Sequence, residues 1–291
     1  MNNWQRWLQT PQTLALRKAI FQIHLWLGIG FGLYVVVICI TGSALVMSPV
    51  AQQWFVPSEV ASIAGEPLSG TELTARIAEV YSDFEVIDSM VSSLPGQAVY
   101  VTLAKDGQET TRFFDHYRGE DLGDPFPWQV QVVDGLANFH DDLLLGRIGR
   151  RVNGLGGILF TLMAMSGLFI WWQGKTRWHR GLVIRRASTR SFNWQLHSFI
   201  GFWSLFLIFS WGVSAVYFTQ PEPFVFVIDA LDNDLNDLER PDSFLRLMVN
   251  IHYGRFDASY LRILWAVFGL LPVILFITGF LLWWRRISVR N

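Results

Sequence analysis

Four long stretches of this chain carry no formal charge, and that pattern restricts its fold more than any other feature. No Asp, Glu, Lys or Arg lies between Lys18 and Glu59. The gaps Arg151–Lys175, Arg190–Glu222 and Arg262–Arg285 hold 23, 31 and 22 uncharged residues. Each contains a dense apolar run, at about 20–47, 152–173, 194–218 and 263–284. About 20 apolar residues carry a helix across a hydrocarbon core about 30 Å thick. One such run could be a buried helix of a soluble protein; four in 291 residues indicate a membrane helix bundle. Composition agrees, with 51 % hydrophobic and 16 % charged residues against about 25 % charged in soluble proteins. The apolar part of the first run exceeds the roughly 7–15 residues of a signal-peptide core, so it is read as a retained helix. Trp171-Trp172 and Trp283-Trp284 end two of the runs and are expected in an interfacial belt.

Charge sets the expected orientation. Segments 1–19 and 174–191 and the tail after Trp284 hold 12 of the 23 basic residues and no acid, whereas all 24 acids lie in 48–151 and 219–262. The positive-inside rule then puts both termini and the 174–191 loop in the cytoplasm and the acidic segments outside. In a Gram-negative cell this means the inner membrane, with the acidic segments in the periplasm.

The chain also repeats itself. His24-x-x-x-Gly28 matches His197-x-x-x-Gly201, and Thr41 and Ser214 each follow 17 residues after those histidines. Asn138-Phe-His140 matches Asn250-Ile-His252; 26 residues after each histidine stand Ser166-Gly167 and Thr278-Gly279. The offsets, 173 and 112 residues, differ by 61, which marks an insertion within about 57–123. There Leu68–Ser82 has helical periodicity with a possible capping box at Ser69-x-x-Glu72. Val99–Leu103 alternates like a strand, Asp106-Gly107 signals a hairpin, Thr110–Asp115 returns, and a short extended piece follows Glu120. The expected fold is an α-helical membrane protein with four transmembrane helices as two parallel repeats and an inserted extracytoplasmic α+β module. Its expected parts are an N-tail and first helix (1–56), the module (57–123), an amphipathic outer segment and second helix (124–173), a basic cytoplasmic loop (174–191) and the second repeat (192–291). Were each stretch from outer His to Trp one straight helix, its 31 residues would rise about 46 Å, placing His140 and His252 at the outer interface.

Four of six histidines thus occupy equivalent places, His24 with His197 inside and His140 with His252 outside. A lone interfacial histidine is usually just hydrogen-bonded; four at symmetric positions fit bis-imidazole ligation of two b-type haems. Gly28, Gly32 and Gly201 would let a flat ring approach the backbone, or would simply mediate helix packing. Haem propionates need cations, for which Arg17 and Lys18 inside and Arg147, Arg150 and Arg151 outside are candidates; ordinary flanking charge is the alternative, and the readier one for the inner two. His116 and His179 lack symmetry partners and are taken as non-ligands. There is no Cys-x-x-Cys-His, HExxH, P-loop, GxGxxG before a helix or GxSxG, so c-type haem, a zincin site, nucleotide domains and an α/β-hydrolase triad are excluded. Cys39 is mid-membrane and read as inert. An electron donor must be a membrane quinol or a cytoplasmic reductase, and no nucleic-acid partner is expected.

The run Phe113-Phe-Asp-His-Tyr-Arg-Gly-Glu-Asp-Leu-Gly123 resembles the terminal strand-turn of PepSY modules, with His116 and Arg118 where Pro and Thr are common. Together with His24-Leu-Trp-Leu-Gly28, His140-x-x-Leu-Leu-Leu-Gly146 and Trp171-Trp172, it is similar to the PepSY-associated transmembrane family across nearly the whole chain. That resemblance implies haem held by membrane histidines, the ligand role falling by position on His24, His140, His197 and His252. It further implies electron delivery to a ferric chelate such as a ferrisiderophore. The rival expectations are a non-enzymatic membrane anchor whose PepSY module binds a peptide or protease, and a transporter component for iron or a chelate. The lack of acids within the spans weakens the transporter.

Overall fold

A computed structural model describes residues 2–56, 65–92, 96–185, 189–231, 240–255 and 259–288. The start of the expected insertion (57–64) and the cations Arg186 and Arg290 lie outside these residues. In chain order the elements are α1 (Asn3–Gln9), α2 (Ala15–Gly30), α3 (Gly32–Val46), α4 (Ser48–Phe55), α5 (Gly70–Val80), β1 (Glu85–Met90), β2 (Val99–Lys105), β3 (Gln108–Asp115), β4 (Glu120–Gly123), α6 (Trp128–Asp142), α7 (Arg147–Trp171), α8 (Thr189–Trp203), α9 (Leu205–Thr219), α10 (Glu222–Leu231), α11 (Arg240–Tyr253), α12 (Ser259–Gly269) and α13 (Leu271–Ser288). They form two compact units, Met1–Met47 with Leu136–Asn291, and Ser48–Gly135.

The first unit is helical. Arg147–Trp171 and Tyr260–Ser288 are each long and apolar enough to cross a membrane; two further pairs, α2 with α3 and Ser191–Trp203 with α9, pass the same test only if each bent pair is one span. Both pairs bend by 59°. The apolar runs at 20–47 and 194–218 are therefore broken helices, at Phe31 and Ser204, each seven residues after its histidine. The causes are local: Phe31 lies between Gly30 and Gly32, and the Ser204 hydroxyl donates to the Ile200 carbonyl at 2.6 Å, both recognised sources of kinks. α7 packs along α9 and against α2; α8 packs on α13 and α3 on α12 and α13. Polarity is inverted relative to a soluble bundle. Thr41, Asn153, Ser204, Ser214 and Thr278 are buried, while Leu33, Leu155, Phe206 and Ile263 are more than half exposed, the distribution that a hydrocarbon solvent favours.

The stretch from His140 to Trp171 is not one straight helix: an outer segment, expected as a separate amphipathic piece, is its own helix α6. α6 ends at Asp142, Leu143 and Leu144 take left-handed φ values of 56° and 59°, and Gly146 begins a new helix at φ 57°. The Asn153 amide donates to the carbonyls of His140 and Asp141, each at 2.7 Å, and thereby folds the end of α6 back onto α7.

The second unit is α+β. α5 covers one face of an antiparallel sheet in the order β1-β2-β3-β4. β2 alternates buried and outward residues, and Val99, Val101 and Leu103 close a core with Phe114, Leu73, Ile77 and Tyr81. Asp106 (φ 53°) and Gly107 (φ 76°) make the tight β2–β3 turn, as their sequence anticipates. Ser69 precedes α5 but its side chain makes no capping hydrogen bond. The chain enters the helix through Gly70 at φ 54°, so the reciprocal capping box does not form. β1 pairs with β2 from Glu85 to Met90 and was not expected.

Candidate functional site

The helices bring the four histidines together as two pairs. His24 on α2 faces His197 on α8, ring centroids 6.5 Å apart and ring planes at 85°. His140 on α6 faces His252 on α11 at 6.3 Å and 59°. Two imidazoles bound on opposite sides of one metal at about 2 Å each have centroids roughly 6 Å apart. Among the described residues no group of three or more His, Cys, Asp or Glu could hold an ion, so the histidines stand as pairs.

Each ring nitrogen Nδ1 meets a hydroxyl from a different helix. His24 meets Ser166 Oγ at 2.9 Å and His197 meets Thr278 Oγ1 at 2.9 Å. His140 meets Thr41 Oγ1 at 3.1 Å and His252 meets Ser214 Oγ at 2.7 Å. These are the hydroxyls whose spacing repeats in the sequence, yet nothing in the sequence linked them to the histidines. Their own protons are committed: Ser166 donates to Met163 O (3.0 Å), Thr278 to Ile274 O (2.8 Å), Thr41 to Val37 O (3.0 Å) and Ser214 to Trp211 O (3.1 Å). A hydroxyl has one proton to give. With the hydroxyl proton on its carbonyl, Nδ1–H is the donor to the oxygen, the tautomer that leaves the Nε2 lone pair for a metal.

Glycines beside the hydroxyls make room for the rings. A Cβ on Gly167 would lie 3.3 Å from His24 Cε1, one on Gly279 3.3 Å from His197 Cε1, and one on Gly42 2.8 Å from His140 Cε1. The outer pair is steadied through its backbone as well: Trp265 Nε1 donates to His252 O at 3.4 Å, the part that Asn153 plays for His140 at the equivalent position 112 residues earlier. Phe218 packs edge-on to His252 at 5.3 Å.

Around the inner pair lies a cavity of about 540 Å³ bordered by His24, His197, Gly28, Gly32, Gly167, Gly201 and Gly279 among others, within the size range of cofactor pockets. Gly28 and Gly201 leave ordinary clearance there, whereas a Cβ on Gly32 would strike the Phe276 ring, so Gly32 also serves helix packing. Trp171 and Trp283 line this cavity instead of standing wholly in an interfacial belt; Trp171 stacks on Phe202 with centroids 4.4 Å apart, and Trp172 Nε1 donates to Trp7 O. Of the outer cations, Arg150 is paired with Asp141, and Arg147 and Arg151 are exposed. Arg17 and Arg286 line the cavity; the first was an inner candidate beside Lys18, which does not line it, and the second entered the sequence reading only as part of the basic tail. His116 is buried beside Asp115 in the second unit and His179 lies outside both pairs.

The family model of the PepSY-associated TM region matches residues 21–242 and 228–286 of the chain. No curated protein matches it.

Proposed function

Because the chain belongs to the PepSY-associated transmembrane family, and is on that ground a membrane protein, we propose that it is a haem-dependent electron conduit that reduces a ferric chelate, such as a ferrisiderophore, outside the cell. The observation that carries this reading is the pairing of the histidines. Two imidazole pairs stand at 6.5 and 6.3 Å, and every Nδ1 lies within hydrogen-bond distance of a hydroxyl from another helix. Structural histidines need no such uniformity; metal ligands do.

In this reading four spans form two parallel repeats in the inner membrane, with both termini cytoplasmic and the α+β module periplasmic. His24 and His197 would hold one haem b, and His140 and His252 the other; when bound, each supplies a one-electron couple. The chain's own residues do the rest. Ser166, Thr278, Thr41 and Ser214 hold the ligand protons and orient the rings. Gly167, Gly279 and Gly42 keep the ring edges clear. Apolar side chains exclude water. Outer-sphere reduction of a ferric substrate needs no general acid or base, in keeping with the absence of a hydrolytic triad motif. A quinol or a cytoplasmic reductase supplies the electrons, and Arg147 and Arg151 offer charge near the outer pair.

The test is a spectrum of protein purified from haem-replete cells, with haem-to-protein stoichiometry and reduction of a ferric chelate by vesicles loaded with a reductant. Two low-spin b-type haems and chelate reduction support the reading. A colourless protein would overturn it and favour a membrane-anchored binding module.

A further inference from the structure

The cavity at the inner pair is asymmetric. Its walls are apolar along most of their length, but Arg17 and Arg286 both border it, and among its described lining residues there is no Asp or Glu. Neither arginine has a carboxylate partner among the described ion pairs. Arg17 uses one terminal nitrogen on the Ile170 carbonyl at 2.5 Å, which sets it beside Trp171. Arg286 lies over the Phe21 ring at 5.5 Å, one turn along α2 from Arg17. One buried donor in this corner, Arg17 Nε, has no hydrogen-bond partner. A buried donor left unmatched is destabilising, and two uncompensated cations at the edge of a hydrocarbon slab attract an anion.

We infer that Arg17 and Arg286 form a dicarboxylate-binding subsite that holds the propionates of the inner porphyrin and fixes which edge of the ring enters the cavity first. This rests on the proposed function. It adds Arg286, which the charge pattern had explained only by topology, to Arg17 at the inner site. The ligand chemistry is an apolar plate ending in two carboxylates. An anionic lipid headgroup is the other source of such an anion.

The experiment titrates haem-free protein in detergent with haemin and, separately, with haemin dimethyl ester, which keeps the plate and removes both charges. The inner site is identified as the one lost in His197→Ala. The parent chain should bind the ester at least about tenfold more weakly at that site, as expected for the loss of charge-assisted hydrogen bonds. The double variant Arg17→Gln/Arg286→Gln should bind acid and ester alike, and Arg17→Lys should keep most of the preference, which separates lost charge from misfolding. Equal binding of acid and ester by the parent overturns the subsite and leaves the conduit standing. Phospholipid that co-purifies with the parent and is lost in the double variant, with acid and ester again equal, overturns it in favour of a lipid headgroup. If the parent takes up no haem at all, the conduit and the subsite both fall.

Discussion

Replacing Thr278 by Val isolates the contribution of a single hydroxyl. Thr278 is 4 % exposed, so water cannot readily take its place. Its oxygen accepts from His197 Nδ1 at 2.9 Å while its proton goes to Ile274 O. Valine preserves the shape and deletes the acceptor. Oxidation of an iron bound at Nε2 draws electron density from the imidazole and makes Nδ1–H a stronger donor, so the lost hydrogen bond penalises the ferric form more. A neutral hydrogen bond contributes about 1 kcal/mol and one to a charged group about 1.5–3; the imidazole lies between, so the differential is ~1 kcal/mol. For a one-electron couple, where about 59 mV corresponds to a factor of ten, this raises the inner midpoint potential by ~40 mV. Haem affinity at that site should also fall by about 10–100-fold. The assay is an optical redox titration of Thr278→Val beside Thr278→Ser, the serine variant retaining the parent potential. An unmoved potential in a fully loaded valine variant would refute the proton-holding role assigned to the hydroxyls.

Three further outcomes are expected. His24→Ala and His197→Ala should lose the same haem and the double variant little more, whereas His24→Ala/His140→Ala should lose both, as read by pyridine haemochrome stoichiometry; loss of a shared haem by the two single variants His24→Ala and His140→Ala would contradict the pairing. Gly42→Ala should disturb the outer pair, since its Cβ would lie 2.8 Å from His140 Cε1, while Gly135→Ala, with nothing within 4 Å, should leave both spectra unchanged. In the second unit, burial alone would raise the pKa of Asp121, but hydrogen bonds from Arg112, Tyr81 and the Gly123 amide outweigh it and hold the carboxyl below its usual value. A depressed carboxyl stabilises the fold above its unfolded pKa of about 3.9, and that contribution is lost as pH falls through the folded value. Hydrogen exchange at β3 and β4, corrected for intrinsic rates, should therefore lose protection below about pH 4, and Asp121→Asn should show reduced protection already at neutral pH.

Much of this architecture was legible because hydrocarbon and repetition both leave period-independent marks. The charge gaps exposed the apolar spans, and the two offsets, 173 and 112, put the histidines in register before any coordinates. The bends at Phe31 and Ser204 were hidden because each turns on one residue in an otherwise apolar run. β1 was hidden for a different reason: only its second and fifth residues are even partly buried, so Glu85–Met90 lacks the strict alternation that reveals a half-buried strand. The hydroxyl partners had been seen but not understood. Spacing along one helix shows that Thr41 recurs as Ser214, yet says nothing of the helix opposite, and it is the fold-back of α6, governed by Asn153 and two left-handed leucines, that carries His140 to Thr41.

Under the proposed function, in which each Nδ1 proton is held by a hydroxyl, the four contacts have a bioenergetic consequence. None of the four imidazoles has a free proton to release or a base to receive one, and the apolar runs contain no carboxylate. Charge moved outward between the two histidine levels under the proposed function would then move without a compensating proton. Such transfer is electrogenic. With the cell interior negative, each electron exported gains about 2.3 kcal/mol per 100 mV of membrane potential, so the resting voltage itself would help drive reduction of ferric iron outside and would be partly spent by it.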